Sequence, residues 1–88
     1  MTYSLEVGEK LAKKFEKLRK KDRLQAEILK RKISEILENP HHFKPLAGSM
    51  SGTRRTHIRN FVLTFEIIES ENKVRLLDYD HHDNIYEK

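Results

Sequence analysis

The chain has 88 residues, of which 36% are Asp, Glu, Lys or Arg, a formal net charge of +4 and no cysteine. That length suits one domain, residues 1–88; the missing thiols exclude disulfides and thiolate metal sites, and no apolar run approaches the ~20 residues of a membrane-spanning helix. The N-terminal MTYSLEVGEK lacks a signal-peptide core, so a cytoplasmic protein is expected. Charge is uneven: residues 1–46 hold 12 Lys and Arg against 7 Asp and Glu, and residues 47–88 hold 6 against 7. A basic half fits an anionic partner such as RNA or an acidic peptide, although Lys-rich helices are often merely solvated.

In chain order, Tyr3, Leu5 and Val7 alternate and predict a first strand, which Gly8 ends. Leu11, Phe15 and Leu18, with Ala12 beside them, predict an amphipathic helix to about Lys20, whose other face carries Lys10, Lys13, Lys14, Lys17 and Lys21. Asp22 reads as an N-cap with Gln25 three residues on, as in a capping box. Leu29, Ile33, Ile36 and Leu37, widened by Leu24 and Ile28, form the stripe of a second helix that Asn39-Pro40 stops. With hardly any loop between them, the helices should form an antiparallel hairpin. Residues 40–53 should be a loop with one short strand near Leu46. Two alternating runs then flank Arg59-Asn60, which predicts a tight turn with Asn60 able to take positive φ. A turn at Ser70–Lys73 precedes a last strand from Val74 to Asp80, in which Tyr79 alternates with Leu77 as a core residue. The order β-αα-βββ predicts an α+β fold with one mostly antiparallel sheet.

Chemistry concentrates in the last third. Arg55, His57 and Arg59 fall at strand spacing and share a face, a basic and proton-transferring set suited to phosphate. A lone strand histidine is ordinarily half-exposed and without a task, so the neighbouring arginine matters. His81-His82 and His41-His42 are adjacent pairs; adjacent strand residues point to opposite faces, and no H-x-H or H-x-x-x-H spacing supports zinc, so no metal and no cofactor is expected.

Four motifs in order carry a resemblance: Pro45-Leu46-Ala47-Gly48, Gly52-Thr53-Arg54-Arg55-Thr56-His57-Ile58, Phe61-Val62-Leu63-Thr64-Phe65-Glu66-Ile67 and His81-His82-Asp83-Asn84-Ile85-Tyr86. Together they resemble the RelE/YafQ group of toxin–antitoxin ribonucleases over nearly the whole chain. The resemblance implies cleavage of mRNA, usually at the ribosome, and an antitoxin partner. It places catalytic histidines at His57 and His82, a phosphate clamp at Arg55 and a stacking or acid/base residue at Tyr86. Arg54, Arg59 and Lys44 are implied as secondary phosphate contacts; the basic face of the first helix, with Lys13, Lys14 and Lys17, adds a surface suited by its charge to RNA or an acidic partner. Lys44 departs from the YafQ pattern, which has histidine there. Val62 stands where many RelE members have arginine, which favours a histidine-based reaction. Two other readings follow from the same resemblance: a ParE-like toxin that inhibits gyrase by binding, and an inactive homologue kept as antitoxin partner or co-repressor.

Overall fold

The computed structural model describes residues 2–43 and 53–83. Ser4–Val7 forms strand β1, Glu9–Lys21 helix α1 and Arg23–Glu38 helix α2. A 3-10 turn at Pro40–His42 follows, then β2 (Thr53–Ile58), β3 (Phe61–Ile68), a second 3-10 turn at Glu69–Glu71 and β4 (Lys73–His81). The strands make one sheet in the order β1-β4-β3-β2, with β1 parallel to β4 and the other two pairs antiparallel. This is the α+β arrangement expected from the element order. The short strand expected near Leu46 lies outside the described residues. Among the described residues no helix is long and apolar enough to cross a membrane.

The helices pack one face against the sheet because their apolar residues recur at helical spacing. Leu11, Leu29 and Ile36 are buried, and Phe15, Leu18, Ile28, Ile33 and Leu37 pack against them. The expected stripe fails at its start: Leu24 is 60% exposed, and Gln25 takes the inward position at 3%. The physical reason is a pair of long-range hydrogen bonds. Gln25 Nε2 donates to the Ile58 carbonyl at 3.2 Å and to the Tyr79 hydroxyl at 2.9 Å, tying α2 to β2 and β4 at once. Only half of the expected capping box forms as a result. Asp22 Oδ1 accepts from the Gln25 backbone N–H at 3.1 Å, but the Gln25 side chain is committed to the core. The Asp22 N–H instead donates to the Leu18 carbonyl at 2.8 Å, so one residue closes α1 and opens α2.

Two departures from regular strand geometry shape the sheet. In the β2–β3 turn it is Arg59, not Asn60, that takes positive φ, at 59°. Positive φ at the first of two loop residues alone is the sign pattern of a type II′ turn. Arg59 therefore leaves the strand and does not extend the face of Arg55 and His57. The second departure is a bulge in β4. Thr64 pairs with Asp78 while Phe65 pairs with Leu76, so Leu77 is the extra residue. Val74 and Leu76 before the bulge and Tyr79 after it all reach the core, whereas Leu77 is 41% exposed. Tyr79 is a core residue as expected, at 2% exposure, but Leu77 is not its companion.

Tyr79 lies at the centre of an aromatic cluster. It stacks on Phe61 at 5.0 Å and meets the edge of Phe15 at 5.7 Å. Burial raises its phenol pKa; the bond from Gln25 works the other way, and the charge of Asp22 adds to the rise. Removing Gln25 leaves two buried oxygens without that donor. Gln25→Ala should therefore lower unfolding free energy by about 1–3 kcal/mol, the cost of leaving buried polar groups unpaired. In chemical denaturation, Tyr79→Phe should cost less on the Gln25→Ala background than alone; strictly additive losses would mean that the two side chains share no bond.

Candidate active site

On the face of the sheet turned away from the helices, pairing lines up side chains in three rows. Thr53, Glu66, Arg75 and Glu6 form one end, Arg55, Thr64 and Asp78 the middle, and His57, Val62 and Asp80 the other end. The first row is an ion-pair ladder. Arg75 binds Glu6 through Nε and Glu66 through Nη1 at 2.9 Å, and Lys73 Nζ reaches Glu6 at 3.2 Å and Glu71 at 3.0 Å.

The third row ends where the histidines meet. His57 is exposed on β2, beside a fully buried Val62 on β3. His82 lies just past the end of β4, and its backbone N–H donates to the Asn60 carbonyl at 2.8 Å. That bond draws the strand end onto the hairpin turn. The two imidazole rings stand 5.7 Å apart between centroids and are tilted by 32°. A carboxylate oxygen of Asp83 lies 3.5 Å from His82 Nδ1. His81 diverges from its neighbour: its ring meets the edge of Phe61 at 5.6 Å. Among the described residues no group of three or more His, Asp or Glu side chains is placed to hold a metal ion.

Arg55 sits two residues before His57 on the same strand face, about 7 Å along β2 at the usual strand rise. His42, Phe43, Arg55, Thr56 and His57 line a cleft of about 320 Å³ between the first 3-10 turn and β2. His42 and Phe43 are additions that sequence reasoning missed. The signal was two aromatic rings immediately before Lys44-Pro45, in the loop that carries the first motif. The neighbouring His41 turns elsewhere: its Nε2 lies 2.6 Å from Glu69 Oε2 and its ring 6.3 Å from that of Tyr3.

The other expected phosphate contacts divide. Arg54 lies on the opposite face from Arg55 and donates through Nη1 to the Phe43 carbonyl at 2.7 Å, so it fixes the loop beside the cleft. Arg59 is exposed in the turn. Lys13, Lys14 and Lys17 are exposed on α1; Lys13 pairs with Glu9 at 3.4 Å, and Lys14 Nζ lies 3.9 Å from Asp80, in the row of His57. Lys44 and Tyr86 lie outside the described residues.

The family described as the ParE toxin of the type II toxin–antitoxin system parDE matches residues 3–86. The chain belongs to the RelE/ParE superfamily of type II toxin–antitoxin toxins. It is 51% identical over 85 residues to an uncharacterized protein of Methanosarcina mazei, covering 96% of this chain and 99% of that one. It is 40% identical over 87 residues to a protein of Methanocaldococcus jannaschii described as a candidate toxin, RelE4, covering 98% and 93%. A chain of the intact RelBE toxin–antitoxin complex of E. coli has the same fold, with a TM-score of 0.75 at 24% identity over 90% of this chain and 95% of that one.

In this RelE/ParE toxin the ion-pair ladder sits at the opposite end of the face from the histidines, and its titration bears on stability. The guanidinium of Arg75 first, and then the Lys73 ammonium, hold the Glu6 carboxyl below its ordinary pKa. A depressed carboxyl stabilises the fold above its unfolded pKa and loses that contribution as pH falls through the folded value. Glu6→Gln should therefore be less stable than the wild type at neutral pH. The difference should shrink as pH is lowered below the ordinary glutamate value of about 4.3 and on through the depressed folded value. A gap that stays constant in thermal melts across this range would show that the ladder does not stabilise through Glu6 ionisation.

Proposed function

We propose that this toxin is an endoribonuclease that cleaves mRNA at the ribosome in the cytoplasm, without a metal, by attack of a 2′-hydroxyl on the adjacent phosphate. The observation that carries the reading is the approach of His57 and His82, from a mid-strand position and a strand end, to within 5.7 Å of one another. One imidazole takes the 2′-hydroxyl proton, and the oxygen attacks phosphorus in line. The other imidazole protonates the leaving 5′-oxygen, which gives a cyclic phosphate and a free 5′-hydroxyl. Arg55, on the same face, neutralises charge on the pentavalent phosphorane. Asp83, whose carboxylate lies 3.5 Å from His82 Nδ1, is the group assigned to orient that ring. Tyr86 stacks on or polarises the substrate, and Lys44 and Arg59 contact flanking phosphates, as the family resemblance implies. These roles need titrating groups, and a toxin that acts by binding alone does not.

A second reading has its own support, because the matching family description is that of ParE. On that reading the protein would inhibit gyrase by binding. Assays of mRNA cleavage on programmed ribosomes and of gyrase supercoiling separate the two.

The partner we propose is a helical, net acidic antitoxin segment, in keeping with the E. coli neighbour, which is a toxin–antitoxin complex. It would lie along the basic face of α1. Reversing the charge of Lys13, Lys14 and Lys17 together should weaken association with ribosome or antitoxin and flatten its salt dependence, by about one unit of log–log slope for each RNA phosphate no longer neutralised. An unchanged salt slope would mean that this face is only solvated.

The histidines give the sharper test. In single-turnover cleavage, His82→Ala should lose at least about a hundredfold in rate, the lower end of general acid–base contributions, with little change in ribosome binding. The wild-type rate should be bell-shaped in pH, as one base and one acid require. Arg55→Ala should impair binding and rate together. Near-wild-type cleavage and growth arrest in both His57→Ala and His82→Ala would make the histidines structural and leave the binding-toxin reading as the better one.

A further inference from the structure

The cleft beside the histidine pair is built differently from the pair itself. One wall is aromatic. Phe43 is half-buried, its ring set edge-on against Phe65 at 5.9 Å and its carbonyl held by Arg54. His42 is exposed and meets the Phe43 ring at 5.6 Å and 86°. Both are carried on a 3-10 turn closed by bonds from the His42 N–H to Asn39 and from the Phe43 N–H to Pro40. The other wall is Arg55, Thr56 and His57. His57 thus belongs both to the cleft and to the pair with His82.

A volume of about 320 Å³ lies at the small end of ligand sites, which run from roughly 300 to 1,000 Å³. That is room for one ring system with its sugar, and little more. Single-stranded RNA is recognised by splaying out a base and stacking it on an aromatic or imidazole ring while cations hold the backbone. A cleft lined by two aromatic rings and an arginine supplies both kinds of group.

The geometry points to this cleft as the site for the base of the nucleotide next to the scissile phosphate, with His42 as the residue on which that base stacks. This rests on the ribonuclease reading for its account of which nucleotide is bound; the binding itself does not require cleavage. His57 joins the two parts: it lines this cleft, and its ring lies 5.7 Å from that of His82.

The test uses an RNA trinucleotide with a 2′-deoxyribose at its middle sugar, which blocks attack there, and versions of it lacking one base at a time. Each is titrated into the full chain while histidine ring signals are followed by NMR. The intact trinucleotide should move the His42 and His57 signals together. His42→Ala should weaken its binding roughly five- to hundredfold, the range that removal of a base stack produces, while His42→Phe, which keeps an aromatic face, stays within about threefold of wild type. Removing one particular base should reproduce the loss in the wild type and cost nothing further in His42→Ala. The base site is overturned if His42→Ala binds as the wild type does, if every base removal costs the two proteins equally, if inorganic phosphate moves His42 as the trinucleotide does, or if the wild type fails to bind the trinucleotide at millimolar concentration. Binding as expected, with no cleavage of all-ribose mRNA on programmed ribosomes, would overturn the ribonuclease reading and uphold the base site.

Discussion

The extra residue in β4 governs what each end of the sheet can hold. Side chains in a strand alternate, and a bulge resets the alternation. With Lys73 and Arg75 turned away from the helices, an unbroken strand would also turn Tyr79 outward and drive Asp78 and Asp80 into the core. The bulge at Leu77 reverses that. Arg75 can join its ion-pair ladder while Tyr79, four residues later, fills the core against Phe61 and Phe15. The same phase shift brings Asp80 into the row of His57 and delivers His82 to the turn side of the sheet. A regular strand could carry one end of this face or the other, but not both.

What was legible in the sequence was local. The period of Leu29, Ile33, Ile36 and Leu37 is a property of one helix, and the alternation that puts Arg55 and His57 on one face is a property of one strand. What was not legible depends on distant partners. Gln25 displaces Leu24 from the inward side because a carbonyl 33 residues away and a hydroxyl 54 residues away are waiting for its amide. Nothing in Leu76-Leu77-Asp78-Tyr79 marks which residue will bulge, since the answer lies in what the neighbouring strand can pack. Arg54 reads as a second phosphate contact, yet alternation alone turns it from Arg55, and the Phe43 carbonyl takes one of its donors. His42 and Phe43 enter the cleft only because the turn after α2 comes to lie beside β2. The resemblance singles out His57 and His82, but the bond from the His82 N–H to the Asn60 carbonyl, which holds the end of β4 at the turn, was not legible.

Charge is divided by purpose along the face. At the ladder end, Arg75 and Lys73 are bound to carboxylates of neighbouring strands and, for Lys73, of the preceding turn, and their shared partner Glu6 ties the first strand to the last. At the histidine end, the basic side chains of α1 run up to the sheet edge, where Lys14 meets Asp80. Exposed pairs of this kind contribute little to stability, and salt screens them. The same exposure leaves their field available to a polyanion, which feels it over about a Debye length before the two surfaces touch.

The parallel pairing of β1 with β4 has a consequence for synthesis. The first strand made must wait for the last, because among the described residues β4 is the only strand beside β1 and the link between it and the hairpin. Pairings of such wide sequence separation form late and slowly, after the loop entropy between them has been overcome. While the chain is still emerging, Gln25 and Phe61 lack the Tyr79 on which both converge, and His57 has no His82 beside it. A truncated or stalled nascent chain therefore lacks both a complete core and the paired histidines.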